Sequence, residues 1–194
     1  MIIGGCMYQI SDNVRRLTNK EKQQYSEQGY VKNLPVFSYN GALELQGLFE
    51  ELSSRLPSDV DINKTNMWHK ASKKFHDLCR TPEILDYVED ILGPNFVQWG
   101  GQFFHKEPQS GSVVPWHQDA QYWPLEPANA VTVWLAVYDS DEENGCLYVY
   151  PGSQVESCLP INIDEDRLLT NPDDWRNERG KPCHIPGEWV DGVW

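Results

Sequence analysis

The stretch Pro115-Trp116-His117-Gln118-Asp119-Ala120-Gln121-Tyr122-Trp123-Pro124 decides how the rest of the chain is read. At its centre is a His-x-Asp pair. In an extended segment, side chains two apart point to the same face, so His117 and Asp119 would converge on one point. One imidazole nitrogen and one hard oxygen suit a divalent first-row metal, and a further histidine would complete a facial two-His-one-carboxylate set. Taken alone, the pair reads first as three common polar residues in a loop. The residues around it separate the two readings.

Downstream lies Val131-Thr132-Val133-Trp134-Leu135-Ala136-Val137-Tyr138, the clearest strand pattern in the sequence. An acidic loop, Asp139-Ser140-Asp141-Glu142-Glu143, leads through Asn144-Gly145 into a strand over Cys146-Leu147-Tyr148-Val149-Tyr150, closed by Pro151-Gly152-Ser153. Upstream, Phe96-Val97-Gln98-Trp99-Gly100-Gly101-Gln102-Phe103-Phe104 also reads as a strand, with glycines where a backbone or ligand approaches closely.

Before residue 96 the period is helical. Thr18 and Glu21 have the spacing of a capping box, opening a helix to about Gln28, where Gly29 can end it in the left-handed conformation. Tyr30-Val31 begins a short extended piece. From Gly41, the residues Leu45, Leu48, Phe49, Leu52 and Leu56 recur at helical steps until Pro57. After the polar residues 63–66, Met67, Ala71, Phe75 and Leu78 mark one further helical face. Thr81-Pro82-Glu83 predicts another start with a capping hydroxyl, Ile84, Leu85, Val88, Ile91 and Leu92 its buried stripe, and Gly93-Pro94 its stop. His69 and His76 lie on these helices without a carboxylate at metal-ligand spacing and read as structural. Helices followed by hairpin-connected strands indicate an α+β chain with a β-sandwich or barrel core.

The chain has 194 residues, enough for one domain with a core, and we read 1–194 as such: helical over about 15–93, strands from about 96, an acidic loop or insert over about 154–194. A formal charge of −13 without a basic stripe argues against nucleic acid and anionic membrane surfaces as partners. Five scattered cysteines with no Cys-x-x-Cys fit reduced thiols, no run approaches membrane-spanning length, and the start lacks a signal pattern; the expectation is a cytoplasmic protein.

Several of these residues together resemble the phytanoyl-CoA dioxygenase family of non-haem iron, 2-oxoglutarate-dependent oxygenases. The similarity is carried by Trp116-His117-Gln118-Asp119, Tyr122-Trp123-Pro124, the strand with Trp134, and Asn144-Gly145-Cys146-Leu147 through Pro151-Gly152-Ser153. Upstream it extends to Thr81-Pro82-Glu83-Ile84-Leu85, Gly93-Pro94-Asn95 and Phe104-His105-Lys106-Glu107-Pro108, covering roughly residues 15–153. It implies a double-stranded β-helix, a jelly-roll or cupin-like barrel with the N-terminal helices packed on one side. It also implies Fe(II) held by His117 and Asp119, with 2-oxoglutarate as co-substrate and molecular oxygen and a small organic molecule as reactants. Trp134 and Gln102 correspond to co-substrate contacts. Lys64 lies near a basic contact of the family, and as part of a polar connection it reads equally as an exposed loop lysine. Tyr122, Trp123, Phe103 and Trp99 are candidates for a dry pocket or for core packing.

The family's second metal histidine and the arginine after it have no clear counterpart. Only His184 follows Asp119, in Lys181-Pro182-Cys183-His184-Ile185-Pro186, whose prolines argue against a ladder position. The stretch Gly187-Glu188-Trp189-Val190-Asp191-Gly192-Val193-Trp194 resembles the approach to a further strand. The expectation is therefore a dioxygenase truncated at its C-terminus with an incomplete barrel; the alternative is a catalytically inactive barrel that binds a ligand or partner. Family members act on acyl-CoA esters, small polar metabolites and secondary metabolites. No basic patch for a CoA phosphate is evident.

Overall fold

The computed structural model describes residues 8–110, 113–114, 117–119, 125, 129–155 and 185–186. The first helix, α1 (Asn19–Gln28), begins as the capping box requires: Thr18 Oγ1 accepts from Glu21 N at 3.2 Å, and Glu21 Oε2 accepts from Thr18 N at 2.7 Å. Gly29 ends it at φ 85°, donating to Tyr25 O at 2.8 Å. This helix buries none of its residues. Tyr25 packs half-buried against the hydrophobic core, and the rest of what holds α1 is polar. Its tether is Asp90, whose side chain is 5% exposed. That carboxylate accepts from Lys22 Nζ at 2.6 Å, Leu17 N at 2.9 Å and Arg16 Nη2 at 3.1 Å.

The second helix, α2 (Tyr39–Ser54), starts two residues before the apolar repeat because Ser38 caps it, accepting from Gly41 N at 3.2 Å. Leu45, Leu48 and Leu52 are its buried stripe. Gly41 is needed at its first turn: a Cβ there would lie 2.2 Å from Gln9 O. Residues 9–11 cross at that point, with Ser38 N bonded to Gln9 O and Ile10 bridged to Phe37.

The single helix expected over 67–78 is two, α3 (Trp68–Ala71) and α4 (Lys73–Leu78). Ser72 leaves the helical region (φ −125°, ψ 122°) and its hydroxyl caps α4 at Phe75 N. The break turns Trp68, rather than Met67 and Ala71, into the core beside Phe75 and Leu78. Helix α5 (Pro82–Leu92) has Pro at its start, Ile84, Tyr87 and Val88 buried, and Gly93 at φ 79° after its end. The capping hydroxyl expected of Thr81 is not used. Thr81 is 2% exposed and its Oγ1 has no hydrogen-bond partner.

Beyond Gly93 the chain runs across α3 and α4. Its hydrogen-bonding groups are met partly by two asparagine side chains that imitate a neighbouring strand. Asn63 accepts from His105 N at 2.6 Å and donates to His105 O at 2.9 Å. Asn66 Oδ1 accepts from Gly101 N at 3.1 Å, and Trp68 N donates to Gly101 O at 3.2 Å. This seats Phe103 at the centre of the core, edge-on to Phe49, Trp68 and Phe75 with ring centroids 5.2, 5.7 and 5.3 Å away. Gly101 is a close approach as anticipated, since a Cβ there would meet Phe75 Cε1 at 2.9 Å.

Among the described residues the runs 96–104 and 131–138 do not form a strand ladder, apart from an isolated bridge at Leu135. The paired strands are β1 (Tyr148–Val149) and β2 (Ile185–Pro186), antiparallel with Tyr148 opposite Pro186 and Val149 opposite Ile185. This corrects the expectation that the prolines around 182–186 keep that segment out of a ladder: a two-residue strand at a sheet edge needs no donor from Pro186. No helix among the described residues is long and apolar enough to cross a membrane.

Candidate functional site

His117 and Asp119 meet. His117 Nε2 lies 3.2 Å from Asp119 Oδ1, with the side chains 35% and 46% exposed. The side chain between them goes elsewhere, Gln118 Nε2 donating to Ser153 O at 2.9 Å. The second carboxylate oxygen, Asp119 Oδ2, accepts from Thr132 Oγ1 at 3.3 Å. The pair thus presents one nitrogen and one oxygen together, and the remaining carboxylate oxygen is steadied by a hydroxyl.

That spacing can be set against a metal. Two donors each about 2.1 Å from a cation, a typical distance for nitrogen and oxygen ligands, stand about 3.0 Å apart when they occupy adjacent corners of an octahedron. A separation of 3.2 Å needs little adjustment to meet that requirement. The hard-oxygen and imidazole set suits iron, manganese or zinc more than a soft, thiolate-preferring ion. Two residues fit; among the described residues no group of three or more His, Cys, Asp or Glu is arranged to hold a metal. His184 lies outside the described residues.

The other predicted site residues are placed less tightly. Trp134 is half-buried, two residues beyond Thr132. Gln102 is half-buried between Gly101 and the core residue Phe103. The side chain of Lys64 is 85% exposed and its Nζ lies 3.8 Å from Asp61 Oδ2, the arrangement of a loop lysine. Its neighbour Asn63 holds the backbone of His105, so the Lys64 turn borders the run that carries Gln102. Of the pocket aromatics, Phe103 belongs to the core, Trp99 is 56% exposed, and Tyr122 and Trp123 lie outside the described residues. His69 Nδ1 lies 3.4 Å from Gln98 Nε2, and His76 Nδ1 lies 3.6 Å from Asp77 Oδ1; neither faces a metal-ligating set.

Thr132 carries no signal in the sequence that marks it for the site, and Ser153 stands out only as the end of the Pro151-Gly152-Ser153 turn. Both act through tertiary contacts that no local spacing encodes, although Thr132 shares its strand pattern with Trp134 and Ser153 its turn with Gly152. The loop 139–144 is built by Asp141, which accepts from Glu143 N at 2.9 Å and Asn144 N at 3.0 Å. A cavity of about 420 Å³ on the helical layer is lined by Glu51, Arg55, Trp68, Ser72 and Lys74 among others, and by none of the candidate residues. Its charges are already paired, Glu51 with both Arg55 and Lys74.

Comparison with known proteins bears on the chain as a whole. Residues 18–188 match the family model for Phytanoyl-CoA dioxygenase (PhyH). The chain is similar to peroxisomal phytanoyl-CoA dioxygenase of Mus musculus, 28% identical over 177 residues that cover 79% of this chain and 52% of that protein. It is 36% identical to the Bos taurus protein of that name over 105 residues, 52% of this chain and 31% of the relative. L-proline trans-4-hydroxylase of Streptomyces griseoviridis is 26% identical over 167 residues, 80% of this chain and 62% of that enzyme. The chain spans about half the length of the phytanoyl-CoA dioxygenases it matches. No solved structure matches it.

Proposed function

The chain belongs to the phytanoyl-CoA dioxygenase family, and on that premise we propose that it serves an Fe(II)- and 2-oxoglutarate-dependent hydroxylation of a small organic molecule. The observation that carries the proposal is the 3.2 Å approach of His117 Nε2 to Asp119 Oδ1. His117 and Asp119 would hold the iron. When bound, it supplies the oxidising chemistry: 2-oxoglutarate is decarboxylated to succinate and one oxygen atom enters a C–H bond of the substrate.

The chain's own residues have narrower tasks. Asp119 presents one oxygen toward His117, while Thr132 donates to the other and limits rotation of the carboxylate. Such hydrogen bonds to a ligating carboxylate fix its direction and raise metal affinity. In this reading Gln102 and Trp134 would contact the co-substrate, and Lys64 would be a basic contact at its edge. The architecture proposed with it is the double-stranded β-helix, which the antiparallel pairing of β1 with β2 suits. Two differently named relatives, a phytanoyl-CoA dioxygenase and a proline hydroxylase, support a hydroxylase and leave the substrate class broad.

The test is an anaerobic titration of the chain with Fe(II) and 2-oxoglutarate. A visible charge-transfer band is expected for the parent chain and is lost in His117→Ala and Asp119→Ala. A parent chain that retains no iron and gives no band would make it a binding module instead.

A further inference from the structure

We propose that the turn formed by residues 151–154, seated on the C-terminal end of α1, is the anchor that positions the His117–Asp119 pair, acting through Gln118. The inference deepens the metal-site reading and rests on it for its consequence, though not for its geometry.

A helix leaves its last four carbonyls without partners inside the helix, and they must be satisfied elsewhere. In α1 these belong to Tyr25, Ser26, Glu27 and Gln28. Gly29 N takes the first at 2.8 Å, as its left-handed cap dictates. Two of the others are taken by a segment more than 120 residues away in sequence: Gln154 Nε2 donates to Ser26 O at 3.1 Å and Gly152 N to Gln28 O at 2.9 Å. The fit is close on both sides. A Cβ at Gly29 would lie 2.6 Å from Gln154 Oε1, and Gly152 itself adopts φ 81°. Ser153 locks the turn internally, its N and Oγ both donating to Tyr150 O, at 3.2 and 2.8 Å.

Once fixed this way, Ser153 still has its carbonyl to offer, and Gln118 Nε2 donates to it at 2.9 Å. Gln118 is the residue between the two candidate ligands. Tying its side chain to Ser153 turns residue 118 away from the pair and fixes the backbone between the two candidate ligands, which enters a 3-10 turn at Asp119. The connection therefore runs from the α1 terminus through Gly152 and Gln154 to Ser153, then to Gln118 and the pair. It also gives a polar helix with no buried residue a purpose: α1 is clamped at Asp90 and offers its far end as a seat. Gln118, Gly152 and Gln154 are positioning residues, none of which touches a reacting atom.

The experiment compares the parent chain with Gln118→Ala, Gln154→Ala and Gly29→Ala. Amide signals are followed by two-dimensional NMR without metal, and Co(II) uptake is followed by visible absorption. All three variants are expected to shift the signals of His117 and Asp119 while those of α2 and α5 stay in place. Co(II) affinity is expected to fall about 10–100-fold, the usual cost of losing support behind a metal ligand. Gln154→Ala, an exposed side chain, should keep the parent's melting temperature, which separates positioning from a general loss of fold. Unmoved 117 and 119 signals in Gln154→Ala and Gly29→Ala would overturn the anchor, even with Co(II) still bound. Shifted signals in a parent chain that takes up no Co(II) would support the anchor and sink the metal reading alone.

Discussion

Replacing Asp90 by Ala should detach α1 from the helical layer, and the cost can be worked from three contacts. The bond from Leu17 N, at 2.9 Å in a partly buried setting, leaves a backbone donor unsatisfied when removed, costing about 1–2 kcal/mol. The pair with Lys22, whose side chain is 40% exposed, contributes only about 0.2–1 kcal/mol, because solvent screens it, and the pair with the exposed Arg16 adds little. Arg16 also keeps Asp86 and Glu89 as partners. The total is roughly 2–3 kcal/mol, or about 5–10 °C in Tm for a chain of this size. Asp90→Asn keeps a carbonyl for Leu17 N and should cost roughly half as much. Urea denaturation at pH 7 measures both, and 1 M NaCl should shrink only the ion-pair part. The variants separate the backbone bond from the charges. A loss below about 0.5 kcal/mol in Asp90→Ala, or equal losses in the two, would refute the view that this carboxylate holds α1 through Leu17. Burial pushes the Asp90 carboxyl up, but Lys22, the Leu17 N–H and Arg16 outweigh it and the net displacement is downward. Its stabilisation is therefore present above the ordinary aspartate range and is lost as pH falls through the lower folded value.

The hydrogen bond from Arg15, opposed by burial and aided by Thr18, pulls the Glu21 carboxyl from 4.5 to about 2. A folded value below the unfolded one means stability complete above pH 4.5 and lost as pH approaches 2; Arg15→Ala should flatten that acid limb in a pH series of melting curves. Gly47 lies in α2 with open space where a Cβ would stand, whereas Gly41 faces Gln9 O, so Gly47→Ala should gain about 0.5–1 kcal/mol and Gly41→Ala should destabilise, as chemical denaturation will show. Thr81→Val removes a buried hydroxyl that has no partner and should be neutral or stabilising by about 1 kcal/mol; a clear loss of stability would mean that the hydroxyl is bonded after all. Thr132→Val should weaken Co(II) binding by about tenfold through the freed Asp119 carboxylate, read in the same titration as the parent chain, and unchanged affinity would remove Thr132 from the site.

What the sequence made legible is what depends on near neighbours. The capping box of Thr18 and Glu21 and the left-handed Gly29 follow from contacts within a few residues, and the structure has both. The predicted stripes are met in part, by Leu45, Leu48 and Leu52 in α2 and by Ile84 and Val88 in α5, where Tyr87 is buried and Leu85, Ile91 and Leu92 are only half-buried. The sequence brings His117 toward Asp119 through an extended backbone; the structure brings the two together with Asp119 in a 3-10 turn instead. Sequence reasoning fails where a side chain acts on the backbone or where a distant segment intervenes. Ser72 interrupts an apolar repeat that alone would run on, since one hydroxyl cap on Phe75 N is enough to restart the helix at the next residue. Thr81 carries every mark of a cap, yet tertiary packing buries it and leaves its hydroxyl unpaired. Asn63 and Asn66 read as a polar connection, and they serve the backbone of residues 101–105 in place of a neighbouring strand.

The same distinction bears on the candidate site. A His-x-Asp pair establishes that two donors lie close along the chain, and little about how firmly they are held together. Firmness comes from Thr132, thirteen residues on, and from Ser153, which has no sequence relation to the pair at all. For a cation that binds nitrogen and oxygen donors weakly in the divalent series, that support decides whether two adjacent ligands amount to a site or to a loop. A polar helix with both ends tied and no core of its own is a costly thing to order. Its cost is rational if the order is transmitted to the pair, and that is the reason the far end of α1, rather than its buried neighbours, is where support for the pair should be tested by mutation.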